Sequence, residues 1–445
     1  MHAEVSATTR TPAVGEIPGQ PLVGHLLAFR RDRLALLDAC LAEPGDVIRL
    51  RIRTPAYLLK RAEDVGHVLI DREDVYSKDP RNVGPRATRI FGDGVMTSAG
   101  ARHRRMRRQV QPFFRLDSMA PLADIAVQSA DAMVDGWEPG AVIELAEEME
   151  RFALRNMVSA VFGPDSPVHR AALETGISAR RLSMTRGLSA PVPLPAFLPL
   201  ALRLRRRRAI KQLERTVEGL IQAKREQRVA GGDLLSMIRD GDHSMTFALA
   251  AFENVGRALT WTQLALARHP YVGARLQAEL EHVLGNRPPH AGDFERLRYT
   301  QMVLAESMRL WPPNALLSRV ARREDRLPTG TRIAAGSKLL LSPYVLHRNP
   351  IYWREPERFD PERFGAEESR GRPRHAYIPF GAGPRVCIGR SLATLTCTLA
   401  LARFVQRARL ELCAQAPGYV CGCLPAGFGP AMRVGGRDGS GSTAP

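Results

Sequence analysis

The run FGAGPRVCIGR, Phe380 to Arg390, constrains this chain more than any other stretch. Three glycines, one proline and two arginines surround a single cysteine, and the apolar run IGRSLATLTCTLALARF follows at once. Cys387 therefore stands just before a helix, where free N–H groups and the positive dipole end favour an anion. Three readings compete. A catalytic nucleophile wants a base positioned beside it, and no protease-type signature surrounds Cys387. A dinucleotide loop wants three glycines; Gly381 and Gly383 supply two, but Val386 takes the place of the third and Pro384 interrupts the turn. A thiolate ligand to iron uses every residue. Gly383 and Gly389 would let backbone approach a flat macrocycle, and Pro384 would stiffen the loop. Phe380 would cover the sulfur side, and Arg385 would pair with a carboxylate of the cofactor.

The rest of the chain bounds the setting. It has 445 residues, 44% of them hydrophobic and 25% charged, enough for a large packed core and too apolar for disorder. The net charge is +18, yet lysine occurs only at 60, 78, 211, 224 and 338, and the many arginines are spread along the chain. That distribution argues against nucleic acid as a partner. The densest basic block, RLRRRRAIK (203–211), reads as a solvated helix face, with an acidic partner as the alternative. The six cysteines (40, 387, 397, 413, 421, 423) show no disulfide framework, and CGC at 421–423 reads as a turn between short strands, not as a zinc site. The leading residues lack an apolar signal-peptide core, and no run of about 18 apolar residues occurs. The expectation is a cytoplasmic protein without a membrane span.

Helical spacing dominates from about residue 99, in ARHRRMRRQVQPFF, LADIAVQSADAMVDGW, AIKQLERTVEGLIQAKREQ, ALAAFENVGRALTWTQLALA, PYVGARLQAELEHVLG and TQMVLAESMRLW. DVIRLRIRTPAYLLKR reads as two strands and a turn, and TRIAAGSKLLLSPYVLHR alternates like strands throughout. The stretch from Asn349 to Arg385 is long, irregular and rich in Pro and Arg, as functional loops are. The expected fold is mainly α with small β-sheets, in one domain over residues 1–445 with flexible ends at 1–20 and 436–445.

The spacing Phe380, Gly383, Arg385, Cys387, Gly389 resembles the haem-binding loop of the cytochrome P-450 superfamily, soluble bacterial type. Other segments agree in order, from IPGQPLVGH to the terminal PAMRV. ESMR, with Glu306 and Arg309 three apart on one helix face, and Arg363 in FDPERF resemble the family's Glu-Arg-Arg lock. GARHRRMRRQVQPFF resembles its helix over the haem edge: His103 and Arg107 would hold propionates, while Arg104, Arg105 and Arg108 would point outward. Arg319 would be a further propionate contact. In AAFENV, Ala250 and Ala251 match the family's small pair and Glu253 its acid, but Asn254 replaces the usual threonine. An amide hydrogen-bonds but relays protons poorly. The lead-in to that helix also looks several turns short, which implies a displaced helix start and an open distal pocket.

The resemblance implies haem b (iron protoporphyrin IX), with NAD(P)H acting indirectly through a ferredoxin- or flavodoxin-type donor. It implies insertion of one oxygen atom from O2 into a small apolar molecule, in secondary metabolism. Two alternatives follow from Asn254: a peroxide-dependent or non-monooxygenase haem enzyme, or a haem-binding helper in a biosynthetic complex. Segments 80–96 and 180–202 would line the substrate pocket.

Overall fold

In the computed structural model, the described residues are 14–162, 241–413 and 430–435, except 53, 84–86, 89–92 and 115, together with single helical positions at 215, 219 and 222. The basic block 203–211, the pocket segment 180–202, the CGC turn and both expected flexible ends lie outside them, but for 14–20. The chain forms two compact units.

The first unit comprises Met1–Asp79, Asn314–Arg358 and Gly371–Val386. Its frame is a six-stranded mixed sheet in the order Val14–Glu16, Val47–Ile52, Thr54–Leu59, Lys338–Leu341, Leu317–Ala321, Tyr76–Lys78. The first hairpin follows the expected strand–turn–strand pattern, with Val47 opposite Leu59 and Ile52 opposite Thr54. Val47, Leu59, Val68, Leu341 and Ile378 pack into one buried cluster beneath it. The expectation of strands throughout 331–348 needs correction. After the strand Lys338–Leu341 the chain turns into a helix, Pro343–Leu346, because Ser342 accepts a hydrogen bond from Val345 N (3.2 Å) and Pro343 sits in the first turn.

The second unit comprises Pro80–Pro313, Phe359–Arg370 and Cys387–Pro445, and it is mainly helical, with a three-stranded sheet of Leu410–Leu412, Ala431–Val434 and Val142–Glu144. Its helices form where the apolar spacing demands. Pro270–Leu284 starts on a proline, buries Val272, Leu276, Leu280 and Leu284 at four-residue steps, and stops at Gly285, whose φ is +57°. Arg390–Arg407 is buried along most of its length, with Phe404 edge-on to Phe152 at 5.2 Å. Asp131 accepts hydrogen bonds from Arg403 and Arg407, both at 2.7 Å, and so fastens the helix Leu116–Val134 to it. The helix carrying AAFENV runs from Gly241 to Arg268, 28 residues or about 42 Å. It is not shortened, contrary to the sequence reading. The polar GDHS has no apolar period, but extending an existing helix needs only one more hydrogen bond per residue, so the helix begins there, ahead of Met245.

The thiol loop shows why glycine is required at one position and not at another. Gly383 has φ +72°, and a Cβ there would lie 2.0 Å from the Leu69 carbonyl oxygen. The restraint is therefore protein backbone, the π-turn His67–Asp71, in addition to any cofactor. At Gly389 φ is −83°, and a Cβ would sit 3.8 Å from Phe114, an ordinary contact. Gly383→Ala is expected to destabilise the fold by about 1–3 kcal/mol and Gly389→Ala by under about 1 kcal/mol. Thermal melting of the two variants checks this; equal losses would contradict it.

Candidate haem-thiolate site

Cys387 lies two residues before Gly389, the N-cap of helix Arg390–Arg407. Its side chain has open surface, yet the surrounding protein strips away water and pushes its thiol up. Three neighbours act the other way: the Gly389 N–H, which donates to the sulfur, and the guanidinium groups of Arg107 and Arg390. Arg107 is the counterpart, held below its usual value by burial and raised by the Cys387 charge. The anion thus has a built environment and needs one further favourable term, such as a metal bond. Cys40 and Cys397 differ: each is buried and pushed up to about 12, inert as structural thiols are. His103, one turn before Arg107 on the helix Gly100–Val110, is buried, while Arg104, Arg105 and Arg108 are exposed.

In the first unit, Arg319 and Arg385 come together with Lys78, which the sequence reading missed. Lys78 lies directly opposite Arg319 across the antiparallel strands. Burial together with Arg385 and Arg319 pulls Lys78 down to about 8; burial together with Arg385 pulls Arg319 down to about 10, against the attraction of Glu73. Like charges facing each other across strands destabilise a sheet. Two desolvated cations with a third beside them are a setting that suits anionic oxygens. Arg319 also donates to the Ser318 carbonyl at 2.9 Å, which fixes its head group. Phe380 is half-buried in the same unit.

The carboxylate of Glu306 organises the second unit's share of the irregular segment. Arg309 donates to both its oxygens, at 2.6 and 2.8 Å, and the two side chains are fully buried. Asp360 N donates at 2.8 Å, and Arg363 Nε lies 3.5 Å away. Burial pushes the Glu306 carboxyl up, and the two arginines and the Asp360 N–H oppose it. The structure therefore brings Glu306, Arg309 and Arg363 together.

On the helix Gly241–Arg268, Ala250, Ala251, Glu253 and Asn254 lie within little more than one turn. Glu253 is paired with Arg257 at 3.2 Å, a partner that sequence reading did not single out. Asn254 is half-buried. The hydroxyls that follow it are bonded within the helix: Thr260 donates to Gly256 O at 2.8 Å and Thr262 to Ala258 O at 2.6 Å.

This donor set fits haem. Among the described residues no group of three His, Cys, Asp or Glu could hold a bare metal ion. A lone thiolate with separate cations for carboxylates suits a metal that brings its own equatorial ligands. The comparisons agree. The sequence profile of the family described as cytochrome P-450 matches residues 15–418, and the chain belongs to that family. It is an enzyme of the P-450 monooxygenase type, a membership that implies haem and electrons from a redox partner. Cyclooctatin synthase of Streptomyces melanosporofaciens is 35% identical over 88% of this chain and 89% of its own. Cyclooctat-9-en-7-ol 5-monooxygenase of the same organism is 31% identical over 92% of each. Pentalenene oxygenase of Streptomyces avermitilis is 30% identical over 90% of this chain and 92% of its own. The crystal structure of the cytochrome P-450DA heme domain shares the fold, with a TM-score of 0.81 at 23% identity, covering 96% of this chain and 98% of that one. Among the described residues no helix is long and apolar enough to cross a membrane.

The cation cluster carries a pH signature. Between about 8 and the ordinary 10.5 of Lys78, the unfolded chain holds a proton that the folded chain has released, so stability climbs with pH there. In haem-free protein, the melting temperature of wild type minus that of Lys78→Met is expected to rise from about pH 7 to about pH 9.5. A difference that stays flat with pH would contradict this reading of Lys78.

Proposed function

We propose that this chain inserts one oxygen atom of O2 into a small apolar terpenoid in secondary metabolism. The other atom leaves as water, and NAD(P)H supplies the two electrons through a ferredoxin- or flavodoxin-type protein. The observation that carries the proposal is the setting of Cys387: a single thiol at a helix start, with an N–H donor and two guanidinium groups around its sulfur. Relatives whose names specify pentalenene and cyclooctat-9-en-7-ol support the substrate class. The proposed location is the cytoplasm, in one haem-thiolate domain.

Haem b bound here would supply the oxygen chemistry, with thiolate ligation favouring O–O cleavage. Cys387 would ligate the iron through its sulfur. His103, Arg107, Arg319 and Arg385, with Lys78 added, are the residues that would hold the propionates. Phe380 would shield the sulfur from water, and the absence of a Cβ at Gly383 and Gly389 would let the loop backbone approach the ring. Ala250 and Ala251 leave room on the distal side. Glu253 takes up and passes on protons, while Asn254 hydrogen-bonds and orders water without relaying a proton itself. The Glu306–Arg309–Arg363 group holds the irregular segment still. Arg104, Arg105 and Arg108 offer an exposed basic surface that speeds encounter with an acidic electron donor.

The test is isotopic. Purified enzyme, a ferredoxin, its reductase and labelled dioxygen are incubated with pentalenene and cyclooctat-9-en-7-ol. A product carrying one labelled oxygen is expected; haem-loaded enzyme that yields no labelled product with these and a wider terpenoid panel would contradict the proposal. In the same assay Asn254→Thr is expected to lower the share of electrons lost as hydrogen peroxide several-fold. An unchanged share would contradict the role given to Asn254.

A further inference from the structure

Arg257 stands out on the distal helix because both arms of its guanidinium are engaged. Nη2 lies 3.2 Å from Glu253 Oε2, and Nη1 donates to the Pro313 carbonyl at 3.3 Å. The pair is not a solvated i,i+4 bridge: the side chains are only 11% and 16% exposed. Helical side chains lean toward the N-terminus, so Arg257 reaches back one turn onto the carboxylate. The helix is seated tightly at this turn. A Cβ on Gly256 would lie 3.2 Å from backbone atoms of both Met149 and Glu150 in the helix Leu145–Phe162. The turn bearing the pair is therefore fixed, and the fork is tethered at its far end to a carbonyl that cannot titrate.

We propose that Arg257 is a positioning residue for Glu253: a guanidinium anchored on Pro313 that fixes where the distal carboxylate sits, so that the two residues deliver protons as one unit. The inference rests on the monooxygenase reading above and extends it to a residue that the family pattern does not mark. A carboxylate paired with one arm of a guanidinium whose other arm is tethered is restricted in position, and a proton-transfer group must lie within hydrogen-bond reach of its target. The consequence is large here because Asn254 contributes no hydroxyl, leaving Glu253 as the relay group beside it.

The experiment uses full-length holoenzyme with a surrogate ferredoxin and reductase and no added substrate. Reduction of O2 to peroxide takes two electrons and two protons; reduction to water takes four of each. The share of O2 recovered as peroxide therefore reports proton delivery. Its measurement is paired with the solvent isotope effect on O2 uptake. Glu253→Gln and Arg257→Gln are each expected to raise the peroxide share and the isotope effect several-fold, and the double variant no further. Arg257→Lys restores the charge but not the second arm and is expected to fall between wild type and Arg257→Gln. It also decides the matter if the glutamine variant fails to load haem. An Arg257 variant that matches wild type, or two single effects that multiply in the double variant, would overturn the proposal. A wild-type protein without the optical signature of thiolate ligation would instead overturn the functional reading beneath it.

Discussion

The carboxylate of Glu306 is the constraint on which much of the architecture depends. It is fully buried, and four groups converge on it: two arms of Arg309, the Asp360 N–H and the guanidinium of Arg363. Breaking such a buried pair by removing one partner costs about 3–5 kcal/mol, because the other charge is left behind without water. That penalty is what allows a segment with almost no regular structure to keep one conformation. The first unit holds its own share by other means. His347 accepts from Ile378 N at 2.9 Å, Trp353 donates to Leu346 O at 3.1 Å, and Gly383 passes under the Leu69 carbonyl.

Two electrostatic arrangements then sit at odds with simple stability. Lys78, Arg319 and Arg385 repel one another in a desolvated place, and Cys387 carries its sulfur where burial disfavours the anion. Under the proposed function, the propionate carboxylates of haem would offset the first and its iron the second. On that proposal, haem binding would raise the stability of the fold.

Much of this was legible from residues alone, for identifiable reasons. Helix Pro270–Leu284 announces itself through apolar steps of four between a proline and a glycine, and ESMR with FDPERF is short, charged and set in apolar surroundings. What escaped was whatever depends on register or burial. Lys78 gains meaning only because strand pairing sets it opposite Arg319. Arg257 looks like any i,i+4 surface partner until its low exposure is known. The glycine at 383 was assigned to the cofactor, whereas the nearest obstacle is a backbone carbonyl from a distant π-turn. The early start of helix Gly241–Arg268 was missed because GDHS has no period, and the turn Pro343–Leu346 because three leucines before it imitate a continuing strand.

The most direct measurement is the optical spectrum of the reduced, carbon-monoxide-bound protein, recorded for wild type and for Cys387→Ser. A sulfur anion on haem iron predicts a strongly red-shifted Soret band in the first and its disappearance in the second. An unshifted band in wild type, or the same red-shifted band in the serine variant, would contradict the account at its root.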